Sequence, residues 1–135
     1  MMELTINNTV YNFNFGMGFL RKINMLDKRT ENGITKEIGF RLKLAGLLDG
    51  DCEDLETILD CANAGQEKRV TRQLLDEYID NPETDIDGLF ETVKDFLSQS
   101  NCTRRQTAEV IKMAKEAAEI QEAERHRKME EMARV

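Results

Sequence analysis

Residues 2–20, MELTINNTVYNFNFGMGFL, hold the pattern that decides the fold class. Over residues 11–15 aromatic and asparagine side chains alternate, which is the period of a strand with one buried face. The preceding pair Asn7-Asn8 interrupts this period, and asparagine tolerates the positive φ angles of a tight hairpin turn. The stretch therefore predicts a β-hairpin over residues 3–15, the one clear strand signal in the sequence. Because an isolated hairpin is marginally stable in water, its aromatic face is expected to pack on helices.

The remainder of the chain carries the spacing of amphipathic helices. Apolar residues recur at intervals of three and four, bounded by capping residues, glycine or proline. Residues 27–35 lack this spacing, contain four charged residues and include an Asn-Gly pair, so they are interpreted as a loop. The first two predicted helices cover about residues 17–27 and 36–48. The third runs from its cap Asp51 to Gly65, and the fourth from its cap Thr71 to Asn81. A fifth helix begins at Asp85 or Asp87, and a long last helix is capped by Thr103.

These signals predict a predominantly helical α+β fold, in which an N-terminal β-hairpin packs on a bundle of five or six helices with a long C-terminal helix. Residues 1–120 are predicted to form a single globular domain. Residues 121–135 are predicted to form a charged helical tail, solvated or frayed, because the apolar stripe runs out after Ile120. The predicted core includes Phe13, Phe15, Phe19, Leu20, Leu42, Leu55, Leu59, Leu75, Phe90, Val93 and Leu97.

The charge balance narrows the partners that the protein can bind. The chain has 135 residues and a formal net charge of −7, with fifteen acidic and four basic side chains in residues 49–95. A duplex nucleic-acid binder usually carries the opposite balance because it neutralises phosphates, so no nucleic-acid partner is expected. No apolar run approaches the roughly 20 residues of a membrane span, and the start lacks the basic and apolar regions of a signal peptide. We therefore expect a cytoplasmic protein with reduced cysteines and no membrane partner.

Motifs that could carry chemistry fail on their spacing. The Gly-x-Gly at residues 16–18 follows a strand, but a dinucleotide-binding fingerprint needs a third glycine where Arg21 stands. The acids of residues 49–60 approximate a calcium loop, yet its sixth position, which needs glycine, is Asp54, and helix capping explains the same acids. The three cysteines lack the close spacing of a zinc site, and the single His126 lies in the charged C-terminal region. We therefore predict no catalytic residue, no metal site, no cofactor and no enzymatic activity.

The methionines of the last helix are the best candidates for a binding surface. Flexible thioethers suit contact surfaces that must adapt to a partner. Met113, Met129 and Met132 lie among dense charge in a helix whose apolar stripe fades before its end. These three are the candidate partner-binding residues, and a helix of this kind can also pair with copies of itself, which predicts a homo-oligomer. The alternative left open is that residues 121–135 simply fray.

Several apolar motifs along the chain carry a family resemblance. In chain order they are MELTIN at 2–7, Tyr-x-Phe-x-Phe-Gly at 11–16, Gly-Phe-Leu-Arg at 18–21, Asp-Leu at 54–55, Ala-Asn-Ala-Gly at 62–65 and the stretch from Val70 to Asp80. In these motifs the chain resembles tail assembly chaperones from siphophages of Gram-positive bacteria. The resemblance covers about residues 2–100 and thins in the last helix.

The resemblance implies non-enzymatic work in the assembly of a phage or prophage tail. Such chaperones coat the tape measure protein, keep its long helices from aggregating and recruit the major tail protein. They act in the cytoplasm of the host bacterium and are not expected in the mature virion. The alternative is a small acidic virion structural or regulatory protein that acts through oligomerisation. A tail tube gene upstream and a very long tape measure gene downstream would favour the chaperone.

Overall fold

The computed structural model describes residues 1–134. Within this range the chain is predominantly helical α+β, as predicted, with an N-terminal hairpin and a long C-terminal helix. Its elements are β1 (Met2–Ile6), β2 (Thr9–Phe13), α1 (Met17–Asn24), β3 (Lys28–Glu31), β4 (Ile34–Glu37), α2 (Gly39–Leu48), α3 (Cys52–Asn63), α4 (Arg72–Asp80), α5 (Ile86–Gln99) and α6 (Arg104–Ala133).

The N-terminal hairpin forms where the alternation predicts it. Strands β1 and β2 pair antiparallel, and the two-residue turn between them has φ angles of 51° at Asn7 and 63° at Asn8. Such mirror-image turns match the twist of paired strands, which is why asparagine is favoured there. The alternating face carries Met2, Tyr11 and Phe13 into the core. The hairpin is thereby stabilised by packing on the helices, as an isolated two-stranded sheet requires.

The outer edge of β2 is tied to the last turn of α3. The Asn63 side chain is fully buried, and its amide nitrogen donates to the backbone carbonyl of Asn12 at 2.9 Å. Two residues along, the backbone N–H of Asn14 donates to the carbonyl of Ala62 at 2.9 Å. An open strand edge is otherwise a template for pairing with other chains, and here a helix end occupies it.

A second hairpin occupies the segment that the sequence predicts as a loop. Strands β3 and β4 pair antiparallel through the turn Asn32-Gly33, whose φ angles are 52° and 77°, and α2 begins at Gly39 instead of residue 36. All eight strand residues are exposed, so no apolar alternation marks them in the sequence. The loop interpretation of residues 27–35 was therefore wrong. The Asn-Gly pair itself, a strong hairpin signal, was the usable clue.

Aromatic rings connect the hairpin to the helices at the centre of the core. Phe15 contacts Phe19 edge to face with ring centroids 5.2 Å apart, and lies 6.0 Å from Phe96. Phe19 in turn contacts Phe40 of α2 at 6.1 Å, also edge to face. These geometries suit the quadrupoles of the rings, so each pair adds to the stability gained from burial.

Most of the predicted core residues are buried, but Leu42 is 48% exposed. Helix α2 is apolar nearly all round, and the structure buries the stripe Phe40, Leu44 and Leu47. At 100° per residue Leu42 lies on the opposite side of the helix from Phe40, so its inclusion in the core was wrong. Leu20 and Phe90 are partly buried and pack against the core from its edge.

Three of the predicted helix caps are present and one is not. Asp51 accepts from the backbone N–H groups of Glu53 and Asp54, while Thr71 and Asp85 each accept one N–H from the first turn of their helices. The hydroxyl of Thr103 instead donates to the carbonyl of Leu97 at 2.7 Å. Thr103 is fully buried, and it stabilises the turn between α5 and α6 rather than capping α6.

Candidate functional site

Helix α6 consists of a packed part and an exposed part. Its first two turns contact α2 and α5, with Thr107 fully buried and Ile111 half-buried. The Arg41 guanidinium on α2 also pairs with the Glu109 carboxylate at 2.7 Å. From Lys112 to Arg134 every residue is exposed. We call residues 112–134 the exposed tail; Val135, part of the predicted tail, lies outside the described residues.

The exposed tail is helical without burying a face. It is built mainly from alanine, glutamate, lysine, arginine, glutamine and methionine, which have high intrinsic helix propensity. The His126 imidazole Nε2 lies 3.5 Å from the Glu130 carboxylate, which is one helical turn further along the surface of the tail. At 1.5 Å per residue the tail extends about 33 Å from the packed part of α6. This length is sufficient for side-by-side contact with another helix.

The three candidate methionines are all strongly exposed, at 62% for Met113, 65% for Met129 and 78% for Met132. Helical geometry places Met129 and Met132 about 60° apart, on neighbouring parts of one face. Met113 lies about 24 Å away along the axis and about 160° around it from Met129. The structure therefore places Met129 and Met132 side by side and leaves Met113 on a different face of the helix.

Met113 has apolar neighbours on its own face of the helix that the prediction, which considered methionines only, did not include. Ala117 and Ile120 follow it at intervals of four and seven residues, which places all three on one face of the helix. Ile120 is 60% exposed. We call Met113, Ala117 and Ile120 the proximal stripe. The spacing was available in the sequence, where Met113 was chosen as a candidate without Ala117 and Ile120.

Charge along the exposed tail is arranged in blocks. Four glutamates occupy residues 116–124, and Arg125, His126, Arg127 and Lys128 follow directly. These charges keep the exposed tail soluble. They favour a partner that presents basic side chains to the glutamate block and acidic side chains to the basic block.

The groove between α3 and α4 is the other notable feature of the surface. It has a volume of about 430 Å³, and the Glu56 carboxylate at its wall pairs with Arg72 at 3.1 Å. Burial, followed by the neighbouring Asp76 carboxylate, raises the pKa of Glu56. Within residues 1–134 no group of three potential ligands is placed to hold a metal ion. The ion pair joins the two helices across the groove.

The cysteines are free thiols in separate surroundings. Cys61 is buried on α3, Cys102 is half-buried and Cys52 is exposed. Burial raises the pKa of the Cys61 thiol, which disfavours the reactive thiolate form. His126, the only histidine, lies in the exposed tail.

A protein-family model described as phage tail assembly chaperone protein, TAC, matches residues 3–112. The chain therefore belongs to this family, whose membership indicates a non-enzymatic role in phage tail assembly with other proteins as partners. No curated protein and no solved structure matches the chain. In the part of the chain that the structure describes, no helix is long and apolar enough to cross a membrane. The family match ends at Lys112, the residue at which the exposed tail begins.

Proposed function

We propose that the protein binds the tape measure protein through its exposed tail and keeps the long helices of that client from aggregating. In this proposal the bound chaperone then recruits the major tail protein, acts in the cytoplasm of the host bacterium and is left out of the mature virion. Family membership supports the general role. The resemblance to chaperones of siphophages from Gram-positive bacteria supplies the specific partners.

The observation that carries the proposal is the run of exposed helix from Lys112 to Arg134. Met113, Ile120, Met129 and Met132 all stand more than half exposed along it. An amphipathic client helix could lie along such a helix and bury these side chains, in the manner of helix-in-groove recognition. Methionine adapts its shape to different contacts, which suits a long client without one repeated sequence. The surrounding charges limit aggregation of the free chaperone.

Deleting residues 121–135 tests the proposed contact surface. The exposed tail adds little buried area, so the thermal melting transition of the remaining chain should be nearly unchanged. Co-precipitation of the tape measure protein should weaken, because Met129 and Met132 are lost. Full binding by the truncated protein would place the contact elsewhere.

A matched pair of variants separates the exposed tail from exposed apolar residues in general. M129A/M132A should weaken capture of the tape measure protein. M25A/I34A is the control, because Met25 and Ile34 are each 62% exposed but lie outside the tail. Equal capture by both variants would argue against the exposed tail. Detection of the protein in purified virions by mass spectrometry would contradict its role as an assembly factor and favour a structural component.

A further inference from the structure

We propose that a groove at the C-terminal end of α2 is a second docking surface, for a partner segment that carries aliphatic side chains beside lysine or arginine. The groove lies between the last turn of α2 and the first half of α5, and it has a volume of about 560 Å³. We call it the α2–α5 groove. It contains no residue of the exposed tail, so the proposal is independent of the proposed binding of the tape measure protein.

The floor of the α2–α5 groove is apolar and only partly covered. Leu47 is buried beneath it, whereas Leu48, Ile86 and Phe90 line the groove and are half-buried. Ile86 and Phe90 are four residues apart and therefore lie on one face of α5. A partner that covers these side chains removes apolar area from water, and the volume lies in the range of about 300–1,000 Å³ that is typical of binding pockets.

Carboxylates surround this apolar floor. Asp87 and Glu91 line the groove from α5, while Asp49 and Asp51 follow the last residue of α2 in the chain. All four are exposed. The basic residue in the lining is Lys94, whose ammonium lies 3.8 Å from the Glu91 carboxylate. The net charge at the groove is therefore negative, which favours a basic partner.

The end of α2 adds to this negative charge. Aligned peptide dipoles give the C-terminus of a helix a partial charge of about −0.5, so a cation nearby is stabilising. The last turn of α2, residues 45–48, contains no lysine or arginine, and Asp49 occupies the C-cap position. A lysine or arginine of the partner would supply this positive charge while its aliphatic neighbours cover the floor.

The α2–α5 groove and the exposed tail lie near different ends of α2. Arg41, in the first turn of α2, pairs with Glu109 of α6 shortly before the tail begins. Leu48 ends the helix about 10 Å further along. The two surfaces share no residue, so binding in the groove does not depend on the methionines of the tail.

Fluorescence anisotropy with a labelled peptide tests the docking surface on the full chain. The probe is an amphipathic peptide of about 15 residues with leucines at four-residue intervals between lysines, and the matched peptide carries glutamate in place of lysine. The lysine probe should bind with a Kd of about 100 μM or tighter, and the glutamate peptide about tenfold or more weakly. Absence of binding of the lysine probe at about 1 mM, or equal binding of both peptides, would overturn the proposal.

Two charge-reversal variants separate the groove from the acidic surface in general. D87K/E91K should weaken binding of the lysine probe by about tenfold or more, because it reverses the charge beside the apolar floor. E77K/E83K is the matched control, since it makes the same change in net charge at two exposed carboxylates that do not line the groove. It should bind like the unaltered chain, and circular dichroism confirms that both variants are folded. Equal loss in both would show attraction to net charge alone and overturn the proposal.

The exposed thiol of Cys52 lines the groove and reports its occupancy. In a C102S background the remaining thiol, Cys61, is buried, so an alkylating reagent modifies Cys52. Saturating lysine probe should slow this alkylation severalfold. An unchanged rate would place the probe elsewhere and overturn the assignment.

Deleting residues 121–135 tests whether the chain itself fills the groove, because this segment contains the basic block 125–128 beside methionine. The affinity of the lysine probe should be unchanged by the deletion. A gain in affinity would show that the tail of this chain or of a second copy had occupied the groove, and would overturn the assignment to another partner. These assays contain no tape measure protein, so their failure leaves the proposed client binding standing.

Discussion

Replacing Asn63 by leucine should be among the most destabilising single changes in this protein. The buried side chain links three parts of the chain: its amide donates to the carbonyls of Asn12 and Lys68, and its oxygen accepts the N–H of Val70 at 2.7 Å. The same oxygen also accepts from the Arg69 guanidinium. Leucine has a similar size, so N63L removes these bonds without leaving a large cavity.

The expected loss follows from the backbone groups that lose their partner. Each buried donor or acceptor left unpaired costs about 1–3 kcal/mol. The N–H of Val70 is buried and carries the full cost, whereas the carbonyls of Asn12 and Lys68 are partly buried and can be reached in part by water. The sum is about 3–5 kcal/mol, a large share of the roughly 5–15 kcal/mol that stabilises a domain of this kind.

Urea unfolding followed by circular dichroism measures this loss directly, since the protein is mostly helical and has no tryptophan. The midpoint should fall while the slope is retained, which reports a change in stability rather than in compactness. The control is N81L: Asn81 accepts one N–H from Glu83 at an exposed turn, and its loss should cost about 1 kcal/mol or less. A loss below about 1 kcal/mol in N63L would refute the accounting of buried polar groups.

Further stability measurements test the core, one close helix contact and one buried carboxyl group. Leu59 is fully buried, so L59A should cost about 2–5 kcal/mol in urea unfolding. A Cβ at Gly39 would overlap the backbone carbonyl oxygen of Ile23 in α1, so G39A should cost about 1–3 kcal/mol. In the same assay G18A, which has open space at its Cβ, should gain roughly 0.5–1 kcal/mol. Burial and the nearby Asp76 raise the pKa of Glu56, so the folded chain holds this proton more tightly than the unfolded chain does. Glu56 therefore stabilises the fold at acidic pH and loses that contribution as the pH rises through its raised pKa. As the pH is raised through this range, the Tm of E56Q should increase relative to the Tm of the unaltered chain. A difference in Tm that stays constant with pH would contradict the raised pKa.

The exposed second hairpin shows where sequence reasoning fails on this fold. Apolar periodicity reports burial, and strands β3 and β4 bury no residue, so the period gave no strand signal there. The same limit explains Leu42, because a helix with apolar residues on every side does not say which side faces the core. The Thr103 cap was wrong because a hydroxyl can bond to any nearby carbonyl, and only the fold decides which carbonyl is near.

Local chemistry in the sequence determined the elements of this protein. Alternating aromatics with Asn7-Asn8 set the first hairpin, and capping side chains set the starts of three helices, because these interactions lie within a few residues of one another. The tertiary structure alone decided which surfaces remain uncovered. Asn63 gained its role in part from Asn12, which lies 51 residues away in the sequence, and α6 becomes an exposed tail at Lys112 because no other element covers it from that residue to Arg134. Burial depends on contacts between distant segments, and a local pattern does not contain them.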